Sequence, residues 1–171
     1  MNRKLLAALG VAVTSTAVLC MTALPASADT TDVTFALSGG ALAVSAQPTT
    51  ALGNKGSSGT TSVSGSLGDT VLTDNRGGTL GWSVGAATGA FTDGTTTASA
   101  VSYAPPATPT STGIVVATGT TQALTAVPAQ VMAGTLVVGN NTATWNPTLT
   151  VTLPASSTAG SYAGTITTSL L

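Results

Sequence analysis

Histidine and glutamate are missing from this 171-residue sequence, and cysteine occurs once. Without His or a second Cys there is no Ser–His or Cys–His pair for nucleophilic catalysis, no disulfide, and no ordinary zinc ligand set. Aspartate is the only acidic side chain, so a glycosidase-type carboxylate pair would need two of Asp69, Asp74 and Asp93 to meet in space. Each of these reads more simply as a turn or strand-end residue. Charge is scarce throughout. Beyond residue 28 only Lys55 and Arg76 stand against Asp29, Asp32, Asp69, Asp74 and Asp93, a net charge of −3. Nucleic acid and anionic membrane surfaces are therefore poor partners. Nothing calls for a cofactor, and the chain is not expected to be an enzyme.

The N-terminus carries Arg3 and Lys4, an apolar run from Leu5 to about Leu24, and the small-residue pattern Ala26-Ser27-Ala28. A basic n-region, an apolar h-region and an A-x-A site make a secretory signal spanning residues 1–28, cut after Ala28. Cys20 falls inside it, and Leu19 stands where a lipoprotein signal needs a small residue. The expectation is a secreted protein, extracellular or associated with the cell wall, with no membrane span in the mature chain. The mature part, Asp29–Leu171, has 143 residues, enough for one domain.

Short β-branched runs broken by Gly, Pro and Asn fill that domain, and no window has helical periodicity. Strands are predicted at Val33–Leu37, Ala41–Ala46, Thr60–Leu67, Val71–Thr73, Gly81–Ala86, Ser99–Tyr103, Gly113–Thr118, Thr135–Val138, Thr142–Trp145, Leu149–Leu153 and Tyr162–Leu170. Turn clusters separate them at Ser38-Gly39-Gly40, Asp74-Asn75-Arg76-Gly77-Gly78 and Gly139-Asn140-Asn141. Asn54–Gly59 reads as a loop, and Pro105-Pro106-Ala107-Thr108-Pro109 as an extended surface segment. The fold class expected is all-β, an antiparallel β-sandwich of Greek-key or barrel-like form.

Near the C-terminus, Trp145, Pro147, Leu149, Val151 and Leu153 share one face, and Thr148, Thr150 and Thr152 the other. Tyr162, Ile166, Thr168 and Leu170 likewise oppose Ala163, Thr165, Thr167 and Ser169. The two segments are predicted to form a hairpin with its apolar face buried, each large side chain contributing about 1.5–3 kcal/mol.

Few side chains could carry chemistry. Lys55 lies near Ser57 and Ser58, but among glycines and serines it reads as a solvated loop charge. Asp69 and Asp74 could contribute to a calcium site, though no Asp-rich loop spacing supports one. Asn140-Asn141-Thr142 matches a glycosylation sequon, and a hairpin turn explains both asparagines without it. Leu153-Pro154-Ala155-Ser156-Ser157 lacks the features of a sorting signal. Trp82 and Trp145 fit a core, and Trp82 could alternatively stack on a sugar. Arg76 could pair with Asp74 or Asp69 to pin its turn, or orient a carboxylate ligand.

Two stretches carry a resemblance. Asp74-Asn75-Arg76-Gly77-Gly78-Thr79-Leu80-Gly81-Trp82-Ser83-Val84 is similar to the distal motif of WxL-domain proteins, with Val84 in place of the motif's Leu. Tyr162-Ala163-Gly164-Thr165-Ile166-Thr167-Thr168-Ser169-Leu170 resembles that family's proximal motif, with Thr168 where the motif has Trp. The resemblance implies a secreted β-rich module held noncovalently at the surface of Gram-positive bacteria, with peptidoglycan as the wall ligand.

The function expected is a noncatalytic surface module that docks on cell-wall polysaccharide, or on other surface proteins, through Trp82, Arg76 and Asp74. The alternative is an assembly subunit of a surface layer or fibre, pairing through β-edges such as Gly113–Thr118.

Overall fold

A computed structural model of the chain describes residues 31–54 and 62–171. The predicted signal segment and the Lys55, Ser57 and Ser58 group lie outside those residues. The chain divides after Ala36, and the unit Leu37–Leu171 holds the β-domain. The described residues contain strands, turns and loops and no helix, in keeping with the Thr-, Val- and Gly-rich sequence.

Two antiparallel sheets form the domain. The first orders β1 (Leu42–Ser45), β3 (Thr70–Asp74), β8 (Ala129–Trp145), β4 (Trp82–Thr88) and β10 (Ile166–Leu170), with β6 (Thr110–Gly119) also paired to β8. The second orders β2 (Ser62–Ser66), β9 (Thr148–Thr152), β5 (Ala100–Ala104) and β7 (Gln122–Ala123). β1 and β10, the two ends of the first order, approach one another.

β8 is the spine. Residues 132–144 pair with β6, residues 141–145 with β3, and residues 129–134 with β4. At residues 142–144 both β6 and β3 are paired to β8, and at 132–134 both β6 and β4. β3 and β4 therefore follow one another along one edge while β6 occupies the other. The register between β4 and β8 jumps between Val84 and Gly85, skipping one residue of β8. This bulge turns both Val131 and Met132 inward, where each is fully buried.

The core lies between the sheets. Leu72, Val84, Val131, Met132, Val137 and Trp145 of the first sheet meet Val101, Tyr103, Leu149 and Val151 of the second. Tyr103 pairs across strands with Leu149, and Val101 with Val151, so alternate residues of β5 and β9 share the inner face. The Trp145 indole Nε1 donates to the Tyr103 hydroxyl at 3.1 Å, joining the sheets through a hydrogen bond within their core. Every buried side-chain nitrogen and oxygen among the described residues has a hydrogen-bond partner.

Several expectations need correction. Leu149–Leu153 and Tyr162–Leu170 do not form a hairpin: β9 pairs with β2 and β5, whereas β10 pairs with β4. Alternation turned Leu149 and Val151 of β9 inward as expected, but in β10 only Ile166 packs against the core and Leu170 is 37% exposed. Alternation is a property of one strand and does not say which strand lies alongside. The intervening segment is long enough to cross between sheets. Tyr162 precedes the last strand, which begins at Ile166.

Gly139-Asn140-Asn141 is not a turn, because Thr135–Val138 and Thr142–Trp145 belong to one strand. Gly139 at φ 70° and Leu136 at φ 51° bend that strand without reversing it. Gly113 of β6, at φ 76°, lies against the Asn140 carbonyl, where no Cβ would fit. Val33–Leu37 forms no strand and Pro105 and Pro109 are buried, while the short strand β7 had no prediction.

Candidate functional site

The turn between β3 and β4 assembles three of the sequence-designated residues. Gly77 and Gly78, at φ 69° and 75°, let the chain double back so that Arg76 faces Asp74. Arg76 Nε donates to Asp74 Oδ1 and Nη2 to Asp74 Oδ2, both at 2.9 Å. Nη2 also reaches the carbonyls of Leu80 and Gly81 at 3.2 and 3.0 Å. One guanidinium thus fastens both arms of the turn, and Asp74 rather than exposed Asp69 is its partner. Hydrogen bonds from Arg76 hold the Asp74 carboxyl below the ordinary aspartate range, against the opposing effect of burial.

Trp82 lies at the far end of this turn and is only 5% exposed. Its Nε1 donates to Asn141 Oδ1 at 3.0 Å, and Asn141 Nδ2 reaches toward Asp74 Oδ2 at 3.5 Å and the Gly139 carbonyl at 3.3 Å. Gly134 lies against the indole, where a Cβ would collide with the ring. Trp82 is a core residue, the first of its two readings, and it has no free face for stacking on a sugar. Arg76, Asp74 and Trp82 are brought together, but they hold one another. Asn141 belongs to this cluster and escaped the sequence reading, which placed it in a turn. Its sequon neighbour Asn140 is exposed.

Concave space lies elsewhere. A cleft of about 540 Å³ is walled by Asn54, Phe91, Leu153, Ser157, Ser161 and Tyr162. A second, of about 410 Å³, is walled by Gln47, Thr70, Tyr103, Leu149, Ile166 and Thr168. Thr50, Leu52, Phe91 and Gly164 border both. Gly164 lies on the Phe91 ring, where a Cβ would come within 2.5 Å of Cγ. The chain therefore packs flat on the aromatic ring between the clefts. Tyr162 donates to the Thr158 carbonyl at 3.1 Å, fixing its ring beside the first cleft.

Among the described residues no Lys, Arg or Asp lines either cleft, and those that do line them offer hydroxyls, amides and aromatic or aliphatic surface. Asp93 lies behind Gly160 of the cleft wall and accepts the backbone N–H groups of Thr95 and Thr96 at 2.8 and 2.7 Å. Those bonds, that of Thr96 foremost, hold its carboxyl below the ordinary range. Burial pushes the Tyr103 hydroxyl up, so it stays protonated beside Trp145.

Asp69, Asp74 and Asp93 do not form a carboxylate pair or a calcium cluster: Asp69 is exposed, Asp74 is held by Arg76, and Asp93 by backbone amides. Among the described residues no three acidic, His or Cys side chains could jointly hold a metal ion, and no helix is long and apolar enough to cross a membrane.

Of the residues that carry the resemblance, Tyr162 borders the first cleft and Ile166 and Thr168 the second. Leu170 sits further along β10, opposite Val84. Comparison with known proteins finds no matching family model, no matching curated protein and no matching solved structure.

Proposed function

We propose that this is a noncatalytic module of the cell surface that holds a neutral, hydroxyl-rich polymer at the cleft beside Tyr162 and Phe91. Wall polysaccharide is the ligand suggested by the WxL-like motifs. The observation that carries the reading is the placement of Tyr162, Ile166 and Thr168 on adjoining clefts whose described lining holds no charged side chain. A sugar chain presents hydroxyls for Asn54, Ser157 and Ser161 and C–H faces for an aromatic ring. The role first assigned to Trp82, Arg76 and Asp74 passes to these residues, because the former three are occupied with one another.

The test is cosedimentation of the exported protein with isolated Gram-positive cell walls. Saturable binding is expected, weakened about tenfold or more by Tyr162→Ala, equivalent to about 1.4 kcal/mol, with the melting temperature little changed. Thr168→Trp, which restores the motif residue beside the second cleft, is expected to tighten binding. Folded parent protein that fails to bind, or binds unchanged after Tyr162→Ala, would overturn the proposal.

A further inference from the structure

Val33-Thr34-Phe35-Ala36-Leu37 alternates large and small residues as a strand does, yet belongs to no ladder. Val33, Phe35 and Leu37 are 81%, 88% and 92% exposed. Such a segment has strand chemistry without a sheet. The β-domain has the converse feature. β6 is paired to β8 along one side, and no described strand covers its other side. From Thr110 to Gly119 it contains no charged residue and no proline, two common guards of an open edge. Its outer face carries Ile114 and Val116, 61% and 52% exposed. Ile114 lies opposite Val138 of β8, itself 52% exposed, and the nearby Leu136 is 76% exposed. Together they make an apolar stripe on an otherwise Thr-rich face.

We propose that Val33–Leu37 of one molecule adds as a strand to the open edge of β6 in a second molecule, linking copies head to tail. Val33, Phe35 and Leu37 would extend the stripe of Ile114, Val116 and Val138, while the backbones complete their hydrogen bonds. Neither surface carries charge, so copies do not repel one another there. A second copy is required by reach. Gly40 is anchored to the Asn75 carbonyl at 2.6 Å, beside β1. Across β1, β3, β8 and β6 a strand added beyond β6 lies four spacings away, about 19 Å along the sheet. Three residues from Gly40 to Leu37 span at most about 10 Å. Donor and acceptor are different surfaces, so the contact is heterologous and can repeat. It does not depend on the wall ligand.

The experiment uses the full chain in a Cys20→Ser background, exported and purified. Chains bearing Phe35→Cys are mixed with differently tagged chains bearing Ile114→Cys and oxidised. A mixed covalent dimer is expected, and none when the partner bears Ser64→Cys on the other sheet. Light scattering of the parent should show oligomers growing with concentration, lost in Phe35→Asp while its melting temperature is unchanged. The proposal is overturned by a parent that stays monomeric, by absence of the mixed dimer, by equal cross-linking at Ser64→Cys, or by an intramolecular bond in the Phe35→Cys/Ile114→Cys double variant. Wall binding measured alongside fails or succeeds separately, since Phe35 and Ile114 line neither stretch of the cleft wall named above.

Discussion

Trp82 and Asn141 meet through a hydrogen bond of 3.0 Å, although 59 residues separate them in the chain. Asn141 is 2% exposed, so its amide serves the indole and the neighbouring Asp74 and Gly139 rather than water. Asn141→Leu leaves the indole N–H without its acceptor and should destabilise the domain by about 1–3 kcal/mol. Chemical denaturation measures this directly. In a Trp82→Phe background the same substitution should cost distinctly less, because the donor is already gone.

Gly134 is needed for contact rather than for a special backbone angle. A methyl there would strike the Trp82 ring. Gly134→Ala should lower stability by about 1–3 kcal/mol through overpacking. Most of that loss should disappear in Trp82→Leu, and comparison of the two thermal melts decides it.

The pH dependence follows from Asp74. Its folded-state value lies below the ordinary aspartate range because Arg76 binds the ionised form. The stability it contributes is fully present above that range and is lost as pH falls through the folded value. The denaturation midpoint should therefore drop between about pH 4 and lower values, where unfolded aspartate begins to bind its proton. Asp93 is depressed as well, so part of the acid loss should persist in Asp74→Asn, with a shallower slope than the parent. An identical acid profile in Asp74→Asn would refute this assignment.

β10 covers the outer edge of β4 from Val84 to Thr88, and the Leu171 side chain packs beside Gly85. Removing residues 166–171 uncovers that edge and withdraws Ile166 from the core margin. Cooperative thermal unfolding should be lost, as circular dichroism can show. A truncated chain that melts like the parent would demonstrate that the first sheet holds without this strand.

Local relationships were legible in the sequence and distant ones were not. Arg76 and Asp74 are two residues apart in a Gly-rich turn, so their pairing could be anticipated from spacing. The inward face of Leu149 and Val151 followed from alternation, a property of a single strand. Strand partners depend on the whole sheet, and for that reason the supposed hairpin separated into two sheets. Gly139 and Asn140 carry turn-forming chemistry, but β6 and β3 pair with β8 on both sides of them and hold the chain extended. The buried role of Asn141 could not be seen because Trp82 and Asp74 reach it only after the sheet has formed. The clefts arise where Phe91 and the segment before β10 meet, and no short motif marks such a junction.

The position of β8 in the chain has a consequence for folding order. β3, β4 and β6 all precede Ala129, yet each pairs with β8, and of the three only β3 has a ladder, that with β1, before β8 is made. A growing chain that has reached only Pro128 has most strands of the first sheet and none of the spine that aligns them. Its large sheet must close through pairings far apart in sequence, which favours slow folding. A chain arrested before β8 should be digested by protease as an unfolded polypeptide, and protection should appear only once residues 129–145 are available.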